Sequence, residues 1–203
     1  MKGLYRDFFF FPDITVLIFA ILCGFGTMLY LGMSSTMLFS FLGGMLFFVF
    51  IEYFTHRYFF HLKAPENRLF LKFLKRLHYD HHTDPANLKL LFLPVWYSLP
   101  NFFILSLIFY AIVGNMNDTL SFGVGLMAML LIYEWKHYVA HKPIKPTTRL
   151  GRWAKKTHIL HHYKNENYWY GVTSPLPDFL FGTFKDEKHV ETSKTAKNLE
   201  HRS

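Results

Sequence analysis

The chain has 203 residues, of which 51% are hydrophobic, 20% aromatic and 18% charged, with a formal net charge of +8. These fractions exclude a disordered chain, and a single cysteine, Cys23, excludes a disulfide scaffold. The few charges are spread very unevenly, so the composition has to be read along the chain.

Between Asp13 and Glu52 lie 38 residues without an Asp, Glu, Lys or Arg, and between Lys89 and Asp118 lie 28 more. A hydrocarbon core of about 30 Å takes roughly 20 apolar helical residues to cross. The first stretch therefore holds two spans, at about 14–32 and 36–54, divided by Gly32-Met33-Ser34-Ser35-Thr36. A secretory signal peptide is the competing reading of the first run, and a second span following directly speaks against it. The next spans fall at about 90–113 and 119–138, joined through Gly114-Asn115-Met116-Asn117-Asp118, with Glu134, Lys136 and His137 intruding at the end of the last. Two hairpins result, with a cap expected from 55–88 and 139–186 and a polar, mobile tail over 187–203.

Lys and Arg number 2 before the first span, 7 from Arg57 to Lys89 and 13 from Lys136 onward, and neither hairpin tip carries one. Both ends and the 55–88 segment thus face the cytosol by the positive-inside rule. The basic excess borders membrane spans and matches no nucleic-acid motif, which sets aside a nucleic-acid partner and favours attraction to anionic headgroups.

Ten of the 12 histidines form four clusters, all on that same side: His56 and His61; His78, His81 and His82; His137 and His141; His158, His161 and His162. At 100° per residue, each trio shares a helical face at i, i+3 and i+4, and His137 with His141 makes an i, i+4 pair. His56 and His61 sit about 140° apart on an ideal helix, so that helix must end, tighten or carry a π-bulge if both point at one target. His61 to His78 and His141 to His158 are both 17-residue steps. The repeat suggests either a buried duplication or two half-sites closing on a common centre.

Imidazole suits Fe, Zn, Cu and Ni, and ten ligands are too many for one ion of four to six coordination, so two metals are expected. His189 and His201 stand alone and are read as solvent-facing. Glu52 and Glu134 lie one turn before His56 and His137, and each could accept the second ring N–H of a ligating histidine or simply reach the interface. Asp80 points away from its trio's shared face and is at most an outer partner. Glu134-Trp135-Lys136-His137 matches the Glu-x-x-His of soluble di-iron bundles, but that class needs the motif twice.

With HX4H, HX2HH, HX3H and HX2HH in this order, the chain resembles the fatty acid hydroxylase and sterol desaturase superfamily of membrane di-metal oxygenases over roughly residues 40–185. Glu52-Tyr53, Leu62-Lys63-Ala64-Pro65, Tyr133-Glu134 and Gly171-Val172-Thr173-Ser174 resemble its fatty acid 2-hydroxylase branch, and Pro177-Asp178-Phe179-Leu180-Phe181-Gly182-Thr183 the wider superfamily. The resemblance implies an all-α integral membrane protein of four spans under a cytosolic helical cap. It also implies two iron ions held by the ten clustered histidines, replaceable by zinc in isolated protein, with O2 as co-substrate. Oxygen would enter the acyl chain of a lipid drawn from the bilayer, at C2, with the tail in an apolar groove between spans. Tyr168, Trp169, Tyr170 and Asp178 are expected to shape the entrance, against plainer roles in interfacial anchoring and turn capping.

Eukaryotic members of that branch often carry a cytochrome b5 domain, and only about 13 residues precede the first span here. A separate cytochrome b5, ferredoxin or reductase is therefore expected to supply electrons. The short form fits a bacterial inner-membrane protein, with the endoplasmic reticulum as the eukaryotic counterpart. A sterol or carotenoid-type ring-lipid oxidase uses the same chemistry and is the first alternative. A transition-metal transporter or storage protein is the second, although transport sites belong at mid-membrane on broken helices.

Overall fold

Helices account for all the regular structure among the described residues, 2–202 of a computed structural model. Helix α1 (Lys2–Phe9) leads into α2 (Pro12–Tyr30), which opens on a proline, where the missing N–H costs nothing. Gly32, at φ +73°, reverses the chain into α3 (Ser35–Phe54), and α3 runs on without a break into a π-helical turn over Thr55–Phe60. After α4 (Arg68–Leu74) a second π-helical turn covers Lys75–Tyr79 and passes into the short α5 (Asp80–Thr83) and α6 (Leu88–Leu91). Helix α7 (Val95–Val113) ends at Gly114, again left-handed, and α8 (Met116–His141), α9 (Arg149–Tyr163) and α10 (Leu176–Leu180) complete the order.

Four helical stretches are long and apolar enough to cross a membrane: Pro12–Tyr30, Ser35–Phe60, Leu88–Val113 and Met116–His141. Their boundaries shift from the sequence expectation, and the second runs on through Phe60. The third straight helix begins at Val95 because Pro94 forces an extended conformation before it. The fourth is longer at both ends than 119–138, so His137 and His141 both ride on it.

The chain divides into two compact units. The first joins residues 2–48 with Leu93–Ile132. Phe19, Leu22, Phe39, Leu46, Phe103 and Ile112 are exposed on its surface, a wall that lipid tolerates and water does not. Inside it, the Asp13 carboxylate accepts the Val95 N–H at 2.8 Å, which satisfies an orphan donor of α7 and brings the starts of α2 and α7 to the same end. Met28, Met37 and Val124 are buried together and link α2, α3 and α8. The tightest contact is between backbones: a Cβ on Gly44 would meet the Phe122 carbonyl oxygen at 2.2 Å, and one on Gly125 the Phe41 carbonyl oxygen at 2.1 Å. Helix pairs in lipid have no hydrophobic drive to associate, so small residues that let backbones touch supply the attraction.

The second unit joins Val49–Phe92 with residues 133–202. Side chains of Asn67 and Thr148 cap α4 and α9 by accepting backbone N–H groups of the first turn. The segment over 187–203, expected to be mobile, is instead packed through residue 202. Leu199 is fully buried against Leu74 and Tyr79, Ala196 is 2% exposed, and Glu200 pairs with Lys75 at 2.8 Å. Its polar composition concealed a few apolar anchors spaced along an otherwise solvated strand of chain.

Replacing Gly44 with Val drives a side chain into a backbone oxygen that cannot retreat without moving α8. The variant should lose at least about 1–3 kcal/mol, the usual cost of overpacking, read as a lowered unfolding temperature in detergent beside the silent control Gly43→Ala, whose Cβ meets nothing within 4 Å.

Candidate metal centre

Two groups of five histidines lie inside the second unit, each offering one ring nitrogen apiece, with the nitrogens of a group within 4.8 Å of one another. His56, His61, His78, His82 and His161 make the first group; His81, His137, His141, His158 and His162 make the second. All are buried except His141, which is partly so. The groups are neighbours, since the rings of His82 and His162 stack at 4.0 Å. His189 and His201 lie elsewhere and are exposed.

Local helix geometry explains this sorting. His56 and His61 belong to one group because the Thr55–Phe60 turn is π-helical, and i to i+5 bonding brings positions five apart onto one face. The trios do not act as units. On a helix, i and i+4 are about 40° apart while i+3 lies about 100° from i+4. His78 and His82 accordingly serve the first group and His81 the second, whereas His158 and His162 serve the second and His161 the first. Each trio sends its odd member across, which is the facing arrangement of two half-sites.

The nitrogens fit a cation. His78 Nε2 lies 3.1, 3.1 and 3.0 Å from the Nε2 atoms of His56, His61 and His82, and His61 Nε2 lies 3.2 Å from that of His161. Donors at right angles around an ion about 2.1 Å away would be about 3.0 Å apart. On the opposite ring edges, the Nδ1 atoms of His56, His82 and His161 stand 2.6, 2.7 and 2.7 Å from the carbonyl oxygens of Tyr170, Ala196 and Tyr168. A carbonyl can only accept, so these three Nδ1 atoms carry the proton and their Nε2 atoms are bare lone pairs. Bare lone pairs converging at 3 Å repel one another unless a positive charge sits among them. In the second group, Nε2 of His137 and His81 are 2.8 Å apart, as are those of His141 and His158.

The loop that supplies two of those carbonyls is itself held rigidly. Trp169 sits at φ 57°, a strained value for a non-glycine residue. It is fixed by its own N–H to the Thr183 carbonyl at 3.1 Å and its indole N–H to the Lys185 carbonyl at 3.0 Å. The Asp178 carboxylate accepts the N–H groups of Tyr170 and Gly171 at 2.9 and 2.7 Å and the Thr183 hydroxyl at 2.7 Å. Glu52 accepts the N–H groups of Val172 and Thr173 at 2.8 and 3.2 Å, and Lys136 donates to the Thr173 carbonyl at 2.6 Å.

Several expectations change as a result. Glu52 does not brace a histidine; it grips the backbone of the loop that does. Glu134 is buried, and Asp80 faces outward toward Lys75 at 3.7 Å, as its position on the helix required. Trp169, Tyr170 and Asp178 are 2%, 3% and 1% exposed and so form no open entrance. Tyr170 and partly buried Tyr168 meet the histidines through their peptide carbonyls, held in place by Trp169 and Asp178, while the Tyr170 ring packs within 5.5 Å of those of His56, His61 and His161. Sequence reasoning missed Ala196, Arg202 and Lys155. The Lys155 ammonium donates to the carbonyls of Val139, Lys142 and Ile144 at 2.8, 2.7 and 3.0 Å, closing the end of α8 beside His141. The Glu52-Tyr53, Gly171–Ser174 and Pro177–Thr183 motifs had flagged part of this framework, through Glu52, Val172, Thr173, Asp178 and Thr183.

The family model described as fatty acid hydroxylase matches residues 41–183. The fatty acid 2-hydroxylase of Mus musculus is 34% identical over 152 residues, covering 71% of this chain and 39% of that protein. A dihydroceramide fatty acyl 2-hydroxylase of Arabidopsis thaliana is 30% identical, covering 71% of this chain and 60% of its own length. Among solved structures, full-length Scs7p, of which only the hydroxylase domain is visible, superposes with a TM-score of 0.73 at 25% identity over 89% of this chain and 66% of that one. The chain thus spans 39% and 60% of the length of these two curated relatives.

Burial, and after it the charges of neighbouring histidines, pushes the pKa values of His61, His78, His81, His158 and His162 well below the ordinary 6.5. Burial also takes His82 down to about 3. Neutral imidazole is the form that binds a metal. The folded state therefore binds fewer protons than the unfolded chain below about pH 6.5, and each such histidine withdraws stability at roughly 1.4 kcal/mol per pH unit as acidity rises. Metal-free protein should be most stable above pH 7 and unfold cooperatively between pH 6.5 and 5, followed by helical circular dichroism at fixed temperature. A flat stability profile across that window would show the rings to be solvated.

Proposed function

The chain belongs to the fatty acid hydroxylase family, and we propose that it hydroxylates an unactivated C–H bond of a lipid acyl chain, at C2 of a fatty acid or acyl lipid. The observation that carries this reading is the pair of five-histidine groups, of which His56, His61, His137 and His141 lie at the ends of helices long and apolar enough to cross a membrane. The choice of C2 is supported by the names of the relatives, which are fatty acid and dihydroceramide fatty acyl 2-hydroxylases.

In this proposal His56, His61, His78, His82 and His161 hold one iron ion and His81, His137, His141, His158 and His162 a second. Zinc occupies the same donors in isolated protein, because imidazole binds both metals well. When bound, the irons would supply the activation of O2 that replaces a C–H bond by C–OH, the second oxygen leaving as water with two protons and two electrons from outside. The protein's own part is orientation and exclusion. The peptide carbonyls of Tyr168, Tyr170 and Ala196 fix the tautomer of three ligands, so Nε2 is always the donating atom. Asp178 and Glu52 keep the carbonyl-bearing loop from drifting, and the burial of nine of the ten rings keeps bulk water away.

Electrons would come from a carrier of the cytochrome b5, ferredoxin or reductase type, and the lipid from the bilayer in which the four helices sit. The charge asymmetry supports a cytosolic position for the histidine groups.

A host that makes no 2-hydroxy fatty acids, expressing this chain with a compatible electron donor, should accumulate them, measured by mass spectrometry of hydrolysed total lipid. The His161→Ala variant should abolish them. Folded protein carrying two metal ions but yielding no such product would overturn C2 hydroxylation and turn attention to ring lipids.

A further inference from the structure

The segment 190–202 hydrogen-bonds to the first histidine group at two places. The Ala196 carbonyl accepts the Nδ1–H of His82 at 2.7 Å. The Arg202 guanidinium donates to the His61 carbonyl at 2.6 Å and to the Asn167 side-chain oxygen at 2.5 Å. Among the described residues, no hydrogen bond runs from this segment to His81, His137, His141, His158 or His162.

The same segment is fastened down along its length. Its start is tied by the Ser193 N–H to the Lys164 carbonyl at 2.7 Å, just past the end of α9. Next the Thr195 hydroxyl donates to the Glu166 carboxylate, itself fully buried, at 2.6 Å. Beyond Ala196, Leu199 enters a pocket made by Leu74 and Tyr79 with Phe59, Ala64 and Leu71. Leu74 and Tyr79 flank and end the π-helical turn that carries His78. The Lys75–Glu200 ion pair closes over the same turn. An exposed pair of this kind contributes little by itself, so the buried leucine and the buried hydrogen bonds do most of the fastening.

We propose that residues 190–202 are a latch on the first group, fixing His82 and His61 so that this group's ion is retained only with the latch closed, while the second group's ion does not depend on it. The proposal rests on the reading of the ten histidines as metal ligands. Ala196 acts through its carbonyl and Arg202 through its guanidinium, and both are positioning residues that touch no substrate. Loss of the partner of a ligating histidine's second nitrogen weakens metal binding about 10–100-fold.

The test is metal content by mass spectrometry after graded chelator challenge of the zinc-loaded full chain in detergent. Wild type sets the reference chelator strength at which each of its two ions is released. A deletion of 190–203, which removes the Ala196 carbonyl from His82, should release one ion at about 10–100-fold lower chelator activity and keep the other, and Arg202→Ala and Leu199→Ala should shift the same ion in the same direction by less. Combining Arg202→Ala with His141→Ala, which removes a second-group donor, should leave none. Arg202→Lys retains a cation able to reach the His61 carbonyl and should restore part of the loss, which a general loosening of the fold would not. If the deletion variant does not fold, the point variants decide. Two ions held as firmly in the variants as in wild type, or both ions lost in parallel, would overturn the latch. A wild-type chain that binds no ions would sink the ligand assignment itself, and the latch with it.

Discussion

Ten imidazoles cannot be buried together unless their lone pairs have somewhere to point, and the second unit is arranged around that constraint. A helix offers only a few ways to aim side chains at one place. Positions i and i+4 converge, i+3 diverges, and i+5 converges only where the helix widens into a π-turn. Two HX2HH trios placed face to face turn this limitation into a solution, since each gives two rings to its near group and one to the far group. The HX3H pair on α8 needs no distortion, while the HX4H pair needs the Thr55–Phe60 turn. The five-and-five division therefore follows from helix periodicity applied to four short motifs.

Much of this could be read beforehand because each feature leaves a mark in residue type or spacing. Charge-free stretches located the four helices long and apolar enough to span a membrane, and the five-residue gap from His56 to His61 required the helix to end, tighten or widen if both rings were to share a target, of which the π-turn is the one found. The second widening, over Lys75–Tyr79, had no such mark, because HX2HH already fits an ordinary helix. Even the split of the trios was latent in the 100° rule, although treating each trio as a single face hid it. What could not be read were the acceptors. Tyr168, Tyr170 and Ala196 contribute peptide oxygens, which every residue possesses, so nothing in their side chains announces the role. The same blindness affected Glu52. A carboxylate one turn from a histidine invites pairing, but the N–H groups of Val172 and Thr173, brought from 120 residues away, hold it instead.

The packed segment over 190–202 was misjudged for a related reason. Composition measures how much apolar surface a segment could bury, and this one buries little. Its hold comes from Leu199, from Arg202 reaching a peptide carbonyl and from short hydrogen bonds made by Thr195 and Ser193. Such contacts are individually worth about 1 kcal/mol, and they matter here because they act on rings whose aim must be accurate.

The two histidine groups are consequently unequal, and the cause lies in the backbone that carries them. Inside an α-helix nearly every carbonyl is already committed to the N–H four residues on, so a helix can present a ring but cannot brace its far nitrogen. His137 and His141 on α8, with His158 and His162 on α9, sit within regular helix. The Nδ1 atoms of His81, His137, His158 and His162 have no hydrogen-bond partner among the described residues, and in the first group the same holds for His61 alone among the buried ring nitrogens. The first group lies beside irregular chain: a left-handed Trp169 turns the carbonyls of Tyr168 and Tyr170 toward His161 and His56, and the 190–202 segment brings that of Ala196 to His82. Loop-like backbone and helix ends are where an all-helical fold keeps backbone acceptors free to brace a ring. A site assembled from helices alone gains regular placement of its rings but forgoes control of their tautomers, and this fold assigns one arrangement to each of its groups.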